Sequence, residues 1–187
     1  MFDLFNNQHI GSMLKEDQLR KKTAEDTARL MMAAARTAPK GRGRDTLFIA
    51  LAHDEDIQKI ATTMIQLAEK WETPFFARDA QNLLQSDALV LIGSRIEALK
   101  LKECGFCGFK NCDEKNLNPN IPCAYNNIDL GIAIGSAVTV AAQHHVDNRV
   151  MYSIGKTALY MGLAEPDVKV LLGIPLSIRS KNIYFDR

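Results

Sequence analysis

All four cysteines of this 187-residue chain fall within one short stretch, CGFCGFKNCDEKNLNPNIPC, as Cys104, Cys107, Cys112 and Cys123. Their spacing is C-x2-C-x4-C-x10-C. Four thiolates saturate one tetrahedral metal ion or one iron–sulfur cluster. That demand rules out a strand or a long helix here, because all four sulfurs must point into a small closed loop. The composition of the stretch agrees: Gly105, Gly108, Pro119 and Pro122 break regular structure and leave room for at most a helical turn. The two glycines let the backbone turn tightly around a metal, and their amides are placed to donate to sulfur. Phe106 and Phe109 either shield a bound centre from water or simply pack beneath the loop.

Two alternatives compete with a cluster. Disulfides have little support: no export signal opens MFDLFNNQHIGS, and a chain of this length buries a core without staples. In a reducing cytosol, clustered cysteines act as ligands or redox groups. Zinc is the stronger rival, since Cys104, Cys107 and Gly108 form a C-x2-C-G knuckle. A zinc ribbon needs a second such pair, however, and ten residues separate Cys112 from Cys123. The spacing therefore favours a [4Fe-4S] cluster, with zinc as the alternative. Lys100, Lys102, Lys110 and Lys115 mix with Glu103, Asp113 and Glu114, which reads as a solvated rim with no strong bias on redox potential.

A net charge of +1 gives none of the one-signed field that nucleic-acid binding requires. The longest apolar stretch, Leu130 to Ala142, is too short to span a bilayer and predicts a buried helix. These features predict a soluble cytoplasmic protein with neither nucleic acid nor membrane as a partner.

Periodicity predicts a helix over Glu16–Arg36, with Leu19, Ala24, Ala28, Leu30, Met31 and Ala34 on its apolar side. A strand follows at Thr46–Ala52, then a helix capped by Asp54 and running to Trp71, a helix over Phe76–Gln85 and a strand at Ala88–Gly93. Beyond the cysteines come a helix opening at Asp129, another over Ser153–Leu163, and a strand at Val168–Ile174. Short apolar strands bracketed by helices predict an α+β domain in three α/β/α layers, one domain over residues 1–187 with residues 100–126 as a cysteine-rich insertion. No G-x-G-x-x-G follows a strand, and no Ser-His-Asp or paired-carboxylate arrangement is legible. Met31, Met32, Met64 and Met161 read as core fillers, and His144–His145 as cations at a helix C-terminus. Tyr125, Asn126 and Asn127 either line a pocket or cap the helix that follows.

CGFCGFKNC resembles the short four-cysteine iron–sulfur domain of electron-transfer and corrinoid proteins, with a shorter gap to the fourth cysteine. Three further patches resemble the nitroreductases, which are FMN-binding homodimers: AAARTAPKGRGRD (33–45), DLGIAIGSAVTVAAQHHVD (129–147) and YMGLAEPDVKVLLGIPLSIRSK (160–181). Together these resemble a group of ferredoxin-domain-containing proteins related to nitroreductases. That resemblance implies a nitroreductase-like fold with an inserted metal loop, and a homodimer packed through the helix carrying Gly131, Gly135, Ser136 and Ala137. It also implies an FMN phosphate held by Arg36, Lys40, Arg42 and Arg44 or by Arg179 and Lys181. The arginine-rich R-x-S motif that grips FMN in nitroreductases does not precede Pro39, and Gly41 to Arg44 stand where a polar residue, usually asparagine, is expected. The function implied is an iron–sulfur-binding redox protein, either a flavin-linked reductase or an electron-transfer protein with a redox partner. The alternative is a zinc-binding structural or sensor protein on a degenerate nitroreductase-like scaffold, without turnover.

Overall fold

Side chains alternate across a β-strand, so a strand buried on both sides must be covered by two separate layers. The strand β2, Ala88–Arg95, is buried along nearly its whole length. Ala88, Val90 and Ile92 enter one hydrophobic core, while Leu89 and Leu91 enter another. In β4, Val168–Ser177, Ile174 and Leu176 face the first core, and Val168 and Leu171 the second. The helices α1 (Glu16–Thr37) and α5 (Ala124–Gln143) fill the first core. The second is built by α2 (Asp54–Lys70), α3 (Pro74–Leu84) and α6 (Tyr152–Tyr160). With β1 at Leu47–Leu51 and β3 at Asp147–Asn148, the sheet order is β1-β2-β4-β3, antiparallel throughout. The remaining helix, α4, is Cys112–Asn116, the single turn expected within the cysteine stretch. This computed structural model describes residues 13–185, so MFDLFNNQHIGS and the last two residues lie outside the described residues. The expected three-layer α+β architecture is the one observed.

Local chemistry explains the element ends. Pro74 opens α3, where a missing amide hydrogen costs nothing. Asp54, Glu55 and Asp56 occupy the first turn of α2, where carboxylates favour the helix dipole, and His53 takes the cap position expected of Asp54. Leu19 and Leu30, expected on the buried stripe of α1, are exposed; Ala24, Ala28, Met31 and Ala35 form that stripe. Met31 and Met64 are fully buried, and Met32 and Met161 pack against the two cores, as core fillers should.

Two differences are informative. The last strand continues through Pro175 to Ser177, past the end expected at Ile174. Gly173 exchanges both backbone hydrogen bonds with Met151, whereas the Leu176 carbonyl accepts from Asp87 on the β2 side. Residues alternate between the two sides, so Pro175 turns its missing donor away from β2, toward the short β3 edge. The other difference is α5, which starts at Ala124, directly after the last cysteine, and not at Asp129.

A candidate metal centre beside a basic turn

The cysteine segment is an excursion between β2 and α5, closed at its neck by one buried side chain. Asn126 Oδ1 accepts from the amides of Glu97 (3.2 Å) and Cys123 (3.1 Å), while its Nδ2 donates to the Glu97 carbonyl (3.0 Å). One amide thereby ties the first residues of the excursion to its last cysteine. Gly105 and Gly108 adopt positive φ (61° and 86°), and the Gly108 amide donates to the Gly105 carbonyl at 2.9 Å. Lys100 and Glu103 share the left-handed region, an uncommon state for side-chain-bearing residues. The Asn111 side chain caps α4 by accepting from the Glu114 amide at 2.9 Å, which fixes Cys112 at the helix start.

Cys104, Cys107 and Cys112 are half-buried, Cys123 is buried, and none is in a disulfide. In kind and number this donor set fits a tetra-thiolate centre. As the loop stands, no group of three or more cysteine, histidine, aspartate or glutamate side chains among the described residues is gathered closely enough to hold a metal ion. The Lys115 stem is buried within the segment while its ammonium reaches the surface, since Thr73 Oγ1 is the one buried side-chain polar atom without a hydrogen bond among the described residues. Lys115 therefore departs from the solvated rim expected of the segment's charges. Phe106 does not pack beneath the loop; it lies on the surface, stacked on Tyr125 with ring centroids 6.0 Å apart.

The first basic cluster lies directly against this segment. Both oxygens of the buried Asp129 accept from the Gly41 amide, at 3.0 and 3.1 Å. The turn Gly41–Gly43 is thus anchored to α5. Arg42 donates to the carbonyls of Leu99 and Lys100, and Arg44 pairs with Glu97. A Cβ on Gly41 would meet Leu99 Cδ2 at 2.7 Å and Tyr125 Cδ1 at 3.1 Å, so the turn and the segment are in close contact here. The cations of this cluster are all engaged: Arg36 with Asp45 (2.5 Å) and the Leu47 carbonyl, and Lys40 with the carbonyls of Ala35, Arg36 and Ala38. Burial raises the Asp45 carboxyl, but Arg36, the Leu47 amide and Lys40 outweigh it and hold the group below its ordinary range.

The second cluster lies elsewhere. Arg179 donates to Asp87 (2.7 Å) and to Ser177 Oγ, at the start of β2. The cysteine segment and the Gly41–Gly43 turn lie at its far end, where the Arg95 amide donates to Thr46. Seven residue steps of strand make that separation roughly 23 Å, so one phosphate cannot contact both clusters. Lys181 has no partner among the described residues and lines a cavity of about 370 Å³ with Arg78, Arg149 and Tyr184. An apolar cleft of about 540 Å³ beside Trp71 and Tyr160 contains none of the candidate residues. His144 caps the C-terminus of α5, and His145 beside it is exposed with φ 56°.

Asp129 and Lys115 are what sequence reasoning missed; of Asn126 it offered the helix cap, which is observed, but not the clasp on Glu97. Asn126 carried a weak signal, three residues after Cys123 in capping-box register. Asp129 carried none, because its partner lies 88 residues away. Lys115 looked like any surface lysine.

Residues 120–187 match the family described as "Uncharacterized protein containing a ferredoxin domain". A relative from Archaeoglobus fulgidus, described as "Uncharacterized protein", is 40% identical over 184 residues, covering 94% of this chain and 97% of that one. Among solved structures, a BluB-like flavoprotein from Clostridium difficile superposes with a TM-score of 0.58 at 14% identity, over 87% of this chain and 84% of that one. An oxidoreductase containing FMN gives 0.55 at 15% identity, over 97% and 84% of the two chains. Nitroreductase A from Vibrio parahaemolyticus gives 0.52 at 11% identity, over 84% and 60%. At such identities the likeness is one of fold. No described helix is long and apolar enough to cross a membrane. The chain belongs to the family of ferredoxin-domain-containing proteins and is built on the nitroreductase-like fold.

Proposed function

We propose that this protein is an iron–sulfur-binding redox protein of the cytoplasm, in which Cys104, Cys107, Cys112 and Cys123 hold a [4Fe-4S] cluster. We further propose that it works as a homodimer and a flavin-linked reductase, drawing its electrons from a redox partner. The observation that carries this reading is the joint between the four free thiols and the basic turn. Asp129, Arg42 and Arg44 clamp the cysteine segment to the very patch that resembles the flavin-side loop of nitroreductases. The ferredoxin-domain description and the FMN named for a protein of the same fold support the same chemistry.

A bound cluster supplies one-electron transfer, and FMN supplies hydride or single-electron chemistry to a substrate. The chain's residues do the holding. The Asn126 clasp fixes the neck of the loop, while Gly105 and Gly108 allow the closure that bringing four sulfurs together requires. For the flavin phosphate, Lys181 is the best candidate, because its charge is uncommitted and it faces a cavity with Arg78 and Arg149. Arg36, Arg44 and Arg179 each face a carboxylate, and Lys40 and Arg42 face carbonyls, so recruiting them means breaking those contacts.

The test is an FMN titration by fluorescence quenching, with anaerobically purified wild type and Lys181→Ala. Saturable quenching that weakens about tenfold in the variant, near 1.4 kcal/mol, supports the phosphate contact. Absence of quenching at tens of micromolar FMN would remove the flavin and leave a one-cofactor electron carrier.

A further inference from the structure

The second hydrophobic core comes to the surface in the apolar cleft of about 540 Å³, between the ends of α2 and α6 and the start of β4. Trp71, Leu159, Tyr160, Ala164 and Val168 form its apolar wall. Trp71, Leu159 and Ala164 are half-buried and pack against the core to which Val168 belongs. Trp71 and Tyr160 meet edge to face, with ring centroids 5.6 Å apart, so each ring holds the other in place. Lys70 lies 5.5 Å from the centroid of the Tyr160 ring and braces the same pair. A cleft of this size, with apolar walls and a few charged groups, has the make-up of a small-molecule site.

The charges at its rim have one sign to offer. Lys156, Glu165 and Lys169 line the cleft. Glu165 is committed, since its carboxylate pairs with Arg95 at 3.0 Å. Lys156 and Lys169 are exposed, and neither makes a hydrogen bond or ion pair among the described residues. The uncommitted charge of the lining is therefore positive. Lys70, in the last turn of α2, also offsets the negative end of that helix beside the cleft. An apolar body seated here would cover the exposed parts of Trp71, Leu159 and Tyr160, while a negative head at the rim would meet the two lysines.

We propose that this cleft is a binding site for a small organic anion with an apolar, aromatic body. The two rings and Leu159 take the body, and Lys156 and Lys169 select a negative head over a neutral one. The cleft shares no lining residue with the cysteine segment or with the Lys181 cavity, so the inference stands apart from both the cluster and the flavin.

The experiment uses a reporter that the chain already carries. Trp71 is its only tryptophan, so selectively excited tryptophan emission reads the cleft itself. The probes are phenylbutyrate and its neutral amide, phenylbutyramide. Phenylbutyrate should change the emission saturably, and the amide should bind more weakly. The double variant of Lys156→Ala with Lys169→Ala should bind phenylbutyrate about fivefold more weakly, as loss of two exposed ion pairs implies, and should bind the amide as wild type does. Lys181→Ala should bind phenylbutyrate as wild type does. No saturable change at about millimolar phenylbutyrate overturns the proposal. Equal affinity for acid and amide, or a double variant that keeps wild-type affinity for the acid, overturns it too, because the charge then plays no part. A loss in Lys181→Ala equal to that in the double variant also overturns it, since binding then belongs to the other cavity.

Discussion

Gly155 lies in α6 where the helix runs closest to the sheet, and its replacement by alanine has a cost that the structure allows to be worked out. A Cβ there would lie 1.8 Å from the Leu171 carbonyl oxygen, 2.3 Å from the Leu171 carbonyl carbon and 2.7 Å from Leu172 Cα. All three are backbone atoms of β4, so no rotamer change relieves the clash. Relief requires moving the helix or a strand paired on both sides. Across the same joint, a Cβ on Gly173 would meet Ile154 Cγ2 at 2.3 Å, so neither element has slack. Overpacking of this kind costs about 1–3 kcal/mol, and backbone-on-backbone contact belongs at the upper end. Alanine regains roughly 1 kcal/mol of helix propensity over glycine. The net loss is about 2 kcal/mol, or roughly 4–8 °C in Tm for a chain of this size. Differential scanning calorimetry of Gly155→Ala, with the exposed neighbour Lys156→Ala as control, reads it directly. A variant melting within a degree of wild type, or above it, would refute the packing of α6 on β4.

Two further outcomes follow from surface and burial. Ile128, Gly131, Ile132, Gly135 and Thr139 leave one face of α5 uncovered, and a Cβ on either glycine meets nothing within 4 Å in its own chain. Light scattering at micromolar concentration should therefore give about twice the 20.8 kDa chain mass, with an interface above roughly 1,000 Å², and Ile132→Glu should return the monomer. A wild-type monomer would refute it. Burial pushes the Tyr184 phenol well above its usual value, its hydrogen bond with Ser86 offsets part of this, and Asp87 adds to the rise. A folded-state pKa raised above the unfolded value means that stability is fully present below about pH 10 and declines above it. Denaturant midpoints at about pH 8 and about pH 11 should fall further in wild type than in Tyr184→Phe. The variant itself starts about 1 kcal/mol less stable for the lost hydrogen bond. Equal falls in both proteins would contradict the assignment.

The layered fold was legible because its signals are local. Runs such as Ala88–Gly93 and the small and apolar residues of α5 announce themselves within a few residues, and the order of elements follows. Strand ends were less legible where a rule about proline met its exception: Pro175 sits on the β3 side of β4, where no ladder bond is lost. The four cysteines were found from their clustering and spacing, and the stretch that precedes Asp45 through its resemblance to nitroreductases. What joins them was not legible. Asp129 holds Gly41, and Arg42 holds the carbonyls of Leu99 and Lys100, across separations that no local pattern encodes. Lys115 lays its stem inside the segment, a burial that composition does not signal. The six cations, already two clusters in the sequence, lie at opposite ends of β2, a separation visible only once the sheet register is known.

The measurement that bears most directly on the central claim is the iron, acid-labile sulfide and zinc content of the anaerobically purified protein, per chain. A [4Fe-4S] centre held by Cys104, Cys107, Cys112 and Cys123 predicts about four iron and about four sulfide, and their loss on Cys112→Ser. Equimolar zinc with no sulfide would contradict the cluster and make the segment a structural or sensing site. Neither metal in the folded protein would contradict the metal centre altogether.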